Sequence, residues 1–218
     1  MNNPLPQGAT IGILGGGQLG RMLSIAASRL GLNTHIFEPG ANPPAGQVAQ
    51  WVTMASYDDG EALRAFAQSV DVITYEFENI PMSALDIIED ICPIHPGRQA
   101  LAVSQDRLSE KEFLTGLGLK VAPYADVTNA EQANVAVARI GAPSILKTRC
   151  MGYDGKGQMR LKQASDMPAA WQAMAGSASV LEGFIDFSHE VSVIAARASD
   201  GQLACFDPGE NVHRDGIL

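Results

Sequence analysis

Between Lys147 and Gln158 the chain reads KTRCMGYDGKGQ, a lysine followed by a loop that holds three glycines and a second lysine. Such a segment suits a nucleoside triphosphate. Glycines let backbone N–H groups close over phosphate oxygens, and lysine adds a compact positive charge. Five Lys and Arg fall in the stretch 147–162 beside one acid, Asp154, although the whole chain carries a formal charge of −9. The GxxxxGK[ST] pattern of a Walker A loop is absent, and the order of lysine and glycine loop is the reverse of the kinase arrangement. A hairpin with solvated basic residues is the plainer alternative, but it leaves the local excess of cations unexplained.

A second cluster, Gly15-Gly16-Gly17-Gln18-Leu19-Gly20, satisfies GxGxxG after a strand-like run, and Glu38 follows Gly20 by eighteen residues. That is the spacing of a dinucleotide fingerprint, with a phosphate on the helix N-terminus and an acid on the ribose. Three readings stay open: a tight turn alone, a site for some other phosphate-bearing ligand, or a NAD(P)-dependent oxidoreductase. Further on, Glu182 and Glu190 lie in or beside apolar strand-like runs. Glu182 could hold a ribose or adenine edge and Glu190 could sit close to the nucleotide, or both face solvent from a half-exposed sheet.

The elements that must carry these residues change rhythm along the chain. Strands over Thr10–Leu14, Asn33–Phe37 and Val70–Tyr75, with Pro93–His95 as one more short strand, alternate with helices over Gln18–Leu30, Asp58–Gln68 and Met82–Ile91. This is βαβ spacing, and it predicts a parallel sheet through residue 98. The Gln18–Leu30 helix places Leu19, Met22, Leu23, Ala26 and Leu30 at helical spacing. A long helix over Gln99–Leu117 follows. Consecutive strands around the glycine-rich loop then predict an α+β second domain over 99–218, with a lid over about 120–185 and a further part over 186–218. Strands are expected at Val180–Phe184, Glu190–Ala196 and Gln202–Phe206.

Of 218 residues, 46% are apolar and 18% charged, which excludes wholesale disorder. The net negative charge argues against nucleic-acid and anionic-membrane partners. Cys92, Cys150 and Cys205 form no CxxC pair, so a reducing compartment is expected and a disulfide framework or zinc site is not. The first residues lack a signal-peptide pattern, and no apolar stretch approaches the ~18 residues of a membrane span. A cytoplasmic location is the expectation.

GGGQLGRM (Gly15–Met22), TYEFENIP (Thr74–Pro81), QDRL (Gln105–Leu108) with Lys111, GYDGKGQ (Gly152–Gln158) and NVHRDGIL (Asn211–Leu218) together resemble the ATP-grasp enzymes of the N5-carboxyaminoimidazole ribonucleotide synthetase family. The match runs the whole chain in family order. It implies an α/β fold, a Rossmann-like pre-ATP-grasp domain followed by an incomplete α+β ATP-grasp domain. It also implies a carbon–nitrogen ligase of purine biosynthesis that joins 5-aminoimidazole ribonucleotide and bicarbonate at the expense of ATP. By the resemblance Arg107 and Lys147 are ATP ligands, and Gly152, Tyr153, Asp154, Gly155, Lys156, Gly157 and Gln158 cover the phosphates. Glu182, Gly183, Phe184 and Ile185 form the hinge to adenine, Glu190 meets the ribose and His213 joins the nucleotide site. Glu76, Tyr153, Asp154 and Lys156 meet the aminoimidazole ribonucleotide, with the Gly15–Gly20 turn facing the same cleft. The family extends more than a hundred residues past the position of Leu218, and the resemblance puts its acidic magnesium ligands there. The chain is thus expected to be a piece of a longer protein or a short gene product, inactive by itself, and a homodimer at full length. Cys150 and Met151 depart from the pattern, where polar residues or glycine are expected.

Overall fold

The computed structural model describes residues 4–152 and 156–214. The chain divides into two compact units between Gln105 and Asp106. The first contains β1 (Thr10–Leu14), α1 (Gln18–Arg29), β2 (Asn33–Phe37), β3 (Trp51–Thr53), α2 (Gly60–Gln68), β4 (Val72–Tyr75), α3 (Met82–Ile88) and α4 (Arg98–Ser104). Its strands lie in the order β3-β2-β1-β4, each pair parallel. Ile94 adds a parallel bridge to Ile73 at the far side of β4, where the sequence places its last short strand.

Apolar alternation puts the two sheet faces into two cores. Ile13, Ile36 and Ala45 pack on one side. Leu14, Phe37 and Ile73 meet Leu63 and Phe66 of α2, Leu85 and Ile88 of α3 and Leu101 of α4 on the other. Burial of Leu101 in that core ties α4 to the first unit. The order of strands reverses between β1 and β4, and ligands of open α/β sheets bind beyond the strand ends at such a point.

Helix α1 forms where its spacing predicts but presents a different face. Gly20, Ser24 and Ala27 are buried, while Leu19, Met22 and Leu23 are exposed. The Glu76 carboxylate accepts from the amides of Gly17 and Gly20 at the helix start, so the Gly20 side must face the sheet. The small residues then allow close approach to β2 and the 3₁₀ turn Pro44–Gln47. Polar anchoring at one end overrides the apolar stripe.

The predicted Gln99–Leu117 helix is two helices. It breaks at Asp106, whose extended backbone and side chain cap α5 (Arg107–Gly116) through the amides of Leu108 and Ser109. The second unit continues with β5 (Tyr124–Val127), α6 (Ala130–Ile140), β6 (Ser144–Thr148), β7 (Gln158–Leu161), α7 (Met167–Ala173) and β8 (Ser179–Gly183). Here the order is β5-β8-β6-β7, all antiparallel. Leu146, Leu161 and Leu181 turn one face into a core with Ala133, Ala136 and Val137 of α6 and Met167 and Ala170 of α7. By strand alternation the opposite face carries Lys147, Glu182, Tyr124 and Gln158.

Beyond β8 the predicted Glu190–Ala196 strand is split in two. Its first part, β9 (Glu190–Ser192), pairs with the last strand, while β10 (Ala195–Arg197) pairs with β11 (Leu203–Cys205) and β12 (Gly209–Asn211) closes on β9. The chain changes partner at Val193–Ile194, where the Ile194 carbonyl accepts from the Phe206 amide at 2.9 Å. Val191, Val193, Ile194, Leu203 and Phe206 are exposed on these ribbons.

The turned face of α1 is checked by two substitutions. Ala27→Leu overpacks a buried position and should cost about 1–3 kcal/mol. Met22→Gln should change stability by less than about 0.5 kcal/mol. Chemical denaturation of both variants measures this, and the reverse order would restore the apolar stripe as the core face.

Candidate functional site

The functional residues of each unit are built on a carboxylate taken out of water. In the first unit it is Glu76, just past the end of β4. One oxygen accepts from the Gly17 amide at 2.6 Å and the other from the Gly20 amide. Glu38, just past β2, does the same for Gly16 at 2.8 Å and for Gly40 at 2.8 Å. A Cβ on Gly17 would lie 2.7 Å from a Glu76 oxygen, so the glycine there makes room for the chain's own carboxylate. The positive end of α1 is therefore filled by Glu76, in the place a dinucleotide pyrophosphate would need. The NAD(P)-dependent oxidoreductase reading finds no support. The turn's amides and the acid read as a ribose ligand already hold each other.

The two carboxylates border a cavity of about 290 Å³ with Gly16, Asn42, Pro43 and Phe77. Tyr57 lies beneath them. Burial and then the negative charges of Glu38 and Glu76 raise its phenol well above the ordinary range, so it stays protonated. Two carboxylates at a cavity's edge offer acceptors to hydrogen-bond donors such as amines and hydroxyls.

In the second unit the buried carboxylate is Glu182, on the exposed face of the antiparallel sheet. Lys147 Nζ donates to its Oε2 at 2.9 Å, and Lys111 Nζ lies 3.1 Å from its Oε1. Burial pushes the Glu182 carboxyl up, but the bond from Lys147 and the charges of Lys147 and Lys111 outweigh it and hold the group below the usual range. Lys147 is thus a buried-edge cation beside the glycine loop, as its sequence position predicts, with a partner that spacing did not reveal. Gln158 is its cross-strand neighbour on β7.

The start of the glycine loop is held from α5. Arg107 donates from Nη1 to the Thr148 carbonyl at 2.7 Å and from Nη2 to the Gly152 carbonyl at 2.6 Å. Gly157 takes φ +66°, and a Cβ there would lie 2.6 Å from Thr148 Oγ1. Arg149 in turn grips Asp106 with Nε at 2.9 Å and Nη2 at 2.6 Å from Oδ2. Burial opposes ionisation of Asp106, but the Arg149 bond and the Ser109 and Leu108 amides hold its carboxyl below the usual range. Met151 sits at φ +65°, a left-handed position that favours glycine, so its side chain there carries a backbone cost. Tyr153, Asp154 and Gly155 lie outside the described residues.

Gly183 and Phe184 in the hinge segment donate their amides to the carbonyls of Pro123 and Pro143, at 2.8 and 3.1 Å. Ile185 follows, half exposed. Glu190 and His213 come together across β9 and β12. His213 Nδ1 lies 3.5 Å from Glu190 Oε1, and Asn211 Nδ2 donates to the same oxygen at 3.0 Å. Sequence reasoning assigned no role to Asp106, Arg149 or Asn211, and quoted Lys111 only within a motif. Asp106 had a signal, a capping residue ahead of a helical run.

The parallel sheet of the first unit and the antiparallel sheet of the second, with its lysine beside a glycine loop, fall within a domain pair of the ATP-grasp class. Two family profiles agree. "Ribonucleotide synthetase preATP-grasp domain" matches residues 8–105 and "ATP-grasp domain" matches 112–218. The chain belongs to the N5-carboxyaminoimidazole ribonucleotide synthetase family of ATP-grasp proteins. It is 50% identical over 216 residues to the N5-carboxyaminoimidazole ribonucleotide synthase of Brucella melitensis biotype 1, covering 98% of this chain and 60% of that protein. The Staphylococcus aureus N5-carboxyaminoimidazole synthetase complexed with ADP superposes with a TM-score of 0.94 at 40% identity, over 99% of this chain and 58% of that one. The Aspergillus clavatus enzyme in complex with ADP and 5-aminoimidazole ribonucleotide gives 0.87 at 28% identity, over 97% and 55%. The chain therefore spans about 60% of the length of these relatives.

The lowered titration of Glu182 has a measurable sign. Its folded value lies below the ordinary glutamate value, so the stability it contributes is full above about pH 4.3 and is lost as pH falls further. The stability advantage of the wild type over Glu182→Gln in urea should shrink between about pH 4.3 and 3. A difference that stays constant down to pH 3 would show that Glu182 is not held ionised by the lysines.

Proposed function

We propose that the whole protein catalyses the ATP-dependent carboxylation of 5-aminoimidazole ribonucleotide by bicarbonate, in de novo purine biosynthesis. The products are N5-carboxyaminoimidazole ribonucleotide, ADP and phosphate. The observation that carries this reading is the Lys147–Glu182 pair beside the anchored glycine loop in an ATP-grasp domain, with relatives of the same fold bound to ADP. The second substrate is supported by the relative that binds ADP and 5-aminoimidazole ribonucleotide, and by the carboxylate-walled cavity of the first unit.

In this reading bicarbonate oxygen attacks the γ-phosphorus of ATP, ADP leaves, and carboxyphosphate forms. The ribonucleotide amine then takes the carboxyl carbon, directly or as released CO2, and phosphate departs. Lys147 and Lys156 counter phosphate charge, and Arg107, on the Thr148 and Gly152 carbonyls, fixes the start of the loop Gly152–Gln158 that covers the phosphates. Glu182–Ile185 borders adenine. Glu190, oriented by Asn211, meets the ribose, with His213 alongside. Glu76 faces the aminoimidazole ribonucleotide, with Tyr153, Asp154 and Lys156 completing that set. Magnesium would neutralise phosphate charge when bound. Among the described residues no three His, Cys, Asp or Glu side chains gather to hold a metal, and no step here runs through one.

The cytoplasm is the proposed location, supported by three free thiols, as in a reducing compartment. No helix among the described residues is long and apolar enough to cross a membrane. A homodimer is carried over from the family resemblance.

Two measurements test the reading. Lys147→Ala should weaken ATP binding by about 1.5–3 kcal/mol, the worth of a charged hydrogen bond, whereas Arg64→Ala, exposed on α2, should leave it unchanged. Equal affinities would remove Lys147 from the nucleotide site. Phosphate release by the whole protein should require ATP, bicarbonate and 5-aminoimidazole ribonucleotide together. Release that is indifferent to the ribonucleotide would overturn the substrate assignment.

A further inference from the structure

The Glu182 side chain is 11% exposed and touches two ammonium groups, one more than its charge requires. The two lysines are not equivalent. Lys111 projects from α5, is 14% exposed, and lies 5.9 Å from the centre of the Tyr124 ring, the residue directly opposite Glu182 across β5 and β8. Its helix is pinned at the N-terminus by the Asp106–Arg149 pair. Lys147 comes from β6 beside the glycine loop and is 25% exposed. With Lys147 as sole partner, moving it onto an anionic ligand would strand a buried carboxylate without a counter-charge, a strongly unfavourable change. A second, fixed lysine removes that obstacle.

We propose that Lys111 is a positioning residue for nucleotide binding, holding Glu182 so that Lys147 can exchange the carboxylate for ligand phosphate. The proposal rests on the nucleotide reading of this site. Lys111 keeps its contact with Glu182 in both states, and Lys147 changes partner. Lys111, Lys147 and Glu182 together carry one net positive charge before ligand arrives, so an anion meets a cluster already short of negative charge. Lys111 therefore acts on affinity through Glu182 and Lys147 without touching the nucleotide.

The test is a double-mutant cycle on ATP binding by the whole protein, read by calorimetry. Lys111→Met should weaken ATP binding about tenfold or more, and Lys111→Arg, which keeps the charge, should restore most of it. In a Glu182→Gln background Lys147 is no longer claimed by a carboxylate, so adding Lys111→Met should change affinity by less than about twofold. A merely structural role would lower the melting temperature and leave ATP affinity intact, or would cost the same in both backgrounds. Either result overturns the proposal. If Lys111→Met does not fold, Lys111→Gln gives the same comparison with a polar contact kept and the charge removed. Failure of the unmodified whole protein to bind ATP would overturn the nucleotide reading itself, whereas wild-type binding with no response to Lys111→Met would overturn this inference alone.

Discussion

An ionised carboxylate out of water must recover, from cations or N–H groups, the solvation it has lost. That requirement organises the sheet face of the second unit. Glu182 could sit neutral on a half-exposed strand, but two lysines hold it ionised, and each is anchored to a different element. Lys147 brings β6 and the start of the glycine loop into register with β8. Lys111 brings α5 over β5. Through Arg107 and the Asp106–Arg149 pair, α5 then reaches back to the same loop. The loop ends, the helix and the sheet are thus tied into one closed circuit of charge-assisted bonds. Such bonds are roughly twice as strong as neutral ones, and they fix direction as well as distance.

The first unit meets the same requirement with backbone rather than cations. Four amides, those of Gly16, Gly17, Gly20 and Gly40, are shared between Glu38 and Glu76. The helix start that would suit a phosphate is satisfied internally, by the two oxygens of Glu76. Because Glu76 emerges from β4 and the amides from the turn after β1, the pair closes the point where strand order reverses. A generic ligand-binding crevice is converted there into a cavity with acidic walls.

The sequence made the architecture legible because periodicity is local. The parallel strands and the consecutive strands around the glycine loop follow from residues within one element. What it hid were partnerships across long separations. Asp106 with Arg149 and Lys111 with Glu182 stand 43 and 71 positions apart, and nothing in either neighbourhood announces the other. The orientation of α1 failed for the same reason. Its apolar stripe is a local signal, while the contact that turns the helix comes from Glu76, more than fifty positions downstream. The break in the long helix at Asp106 was visible as a capping residue, yet helical spacing on both sides masked it.

Glycine patterns mislead in a specific way here. A glycine admits something close to the backbone, and a motif assumes that the visitor is a ligand. At Gly17 it is the Glu76 carboxylate, and at Gly157 it is the Thr148 hydroxyl, each well inside the distance a Cβ would tolerate. In both clusters these glycines serve the scaffold. The two outcomes still differ in chemistry. Filling the first turn with a carboxylate removes its amides from any anion. Packing Gly157 against Thr148, with Arg107 on the neighbouring carbonyls, fixes the ends of the second loop and puts no carboxylate there. A GxGxxG turn and a glycine loop of similar composition therefore divide into an acidic pocket and a basic face. The division is set by whether the residue that arrives from elsewhere in the chain is Glu or Arg.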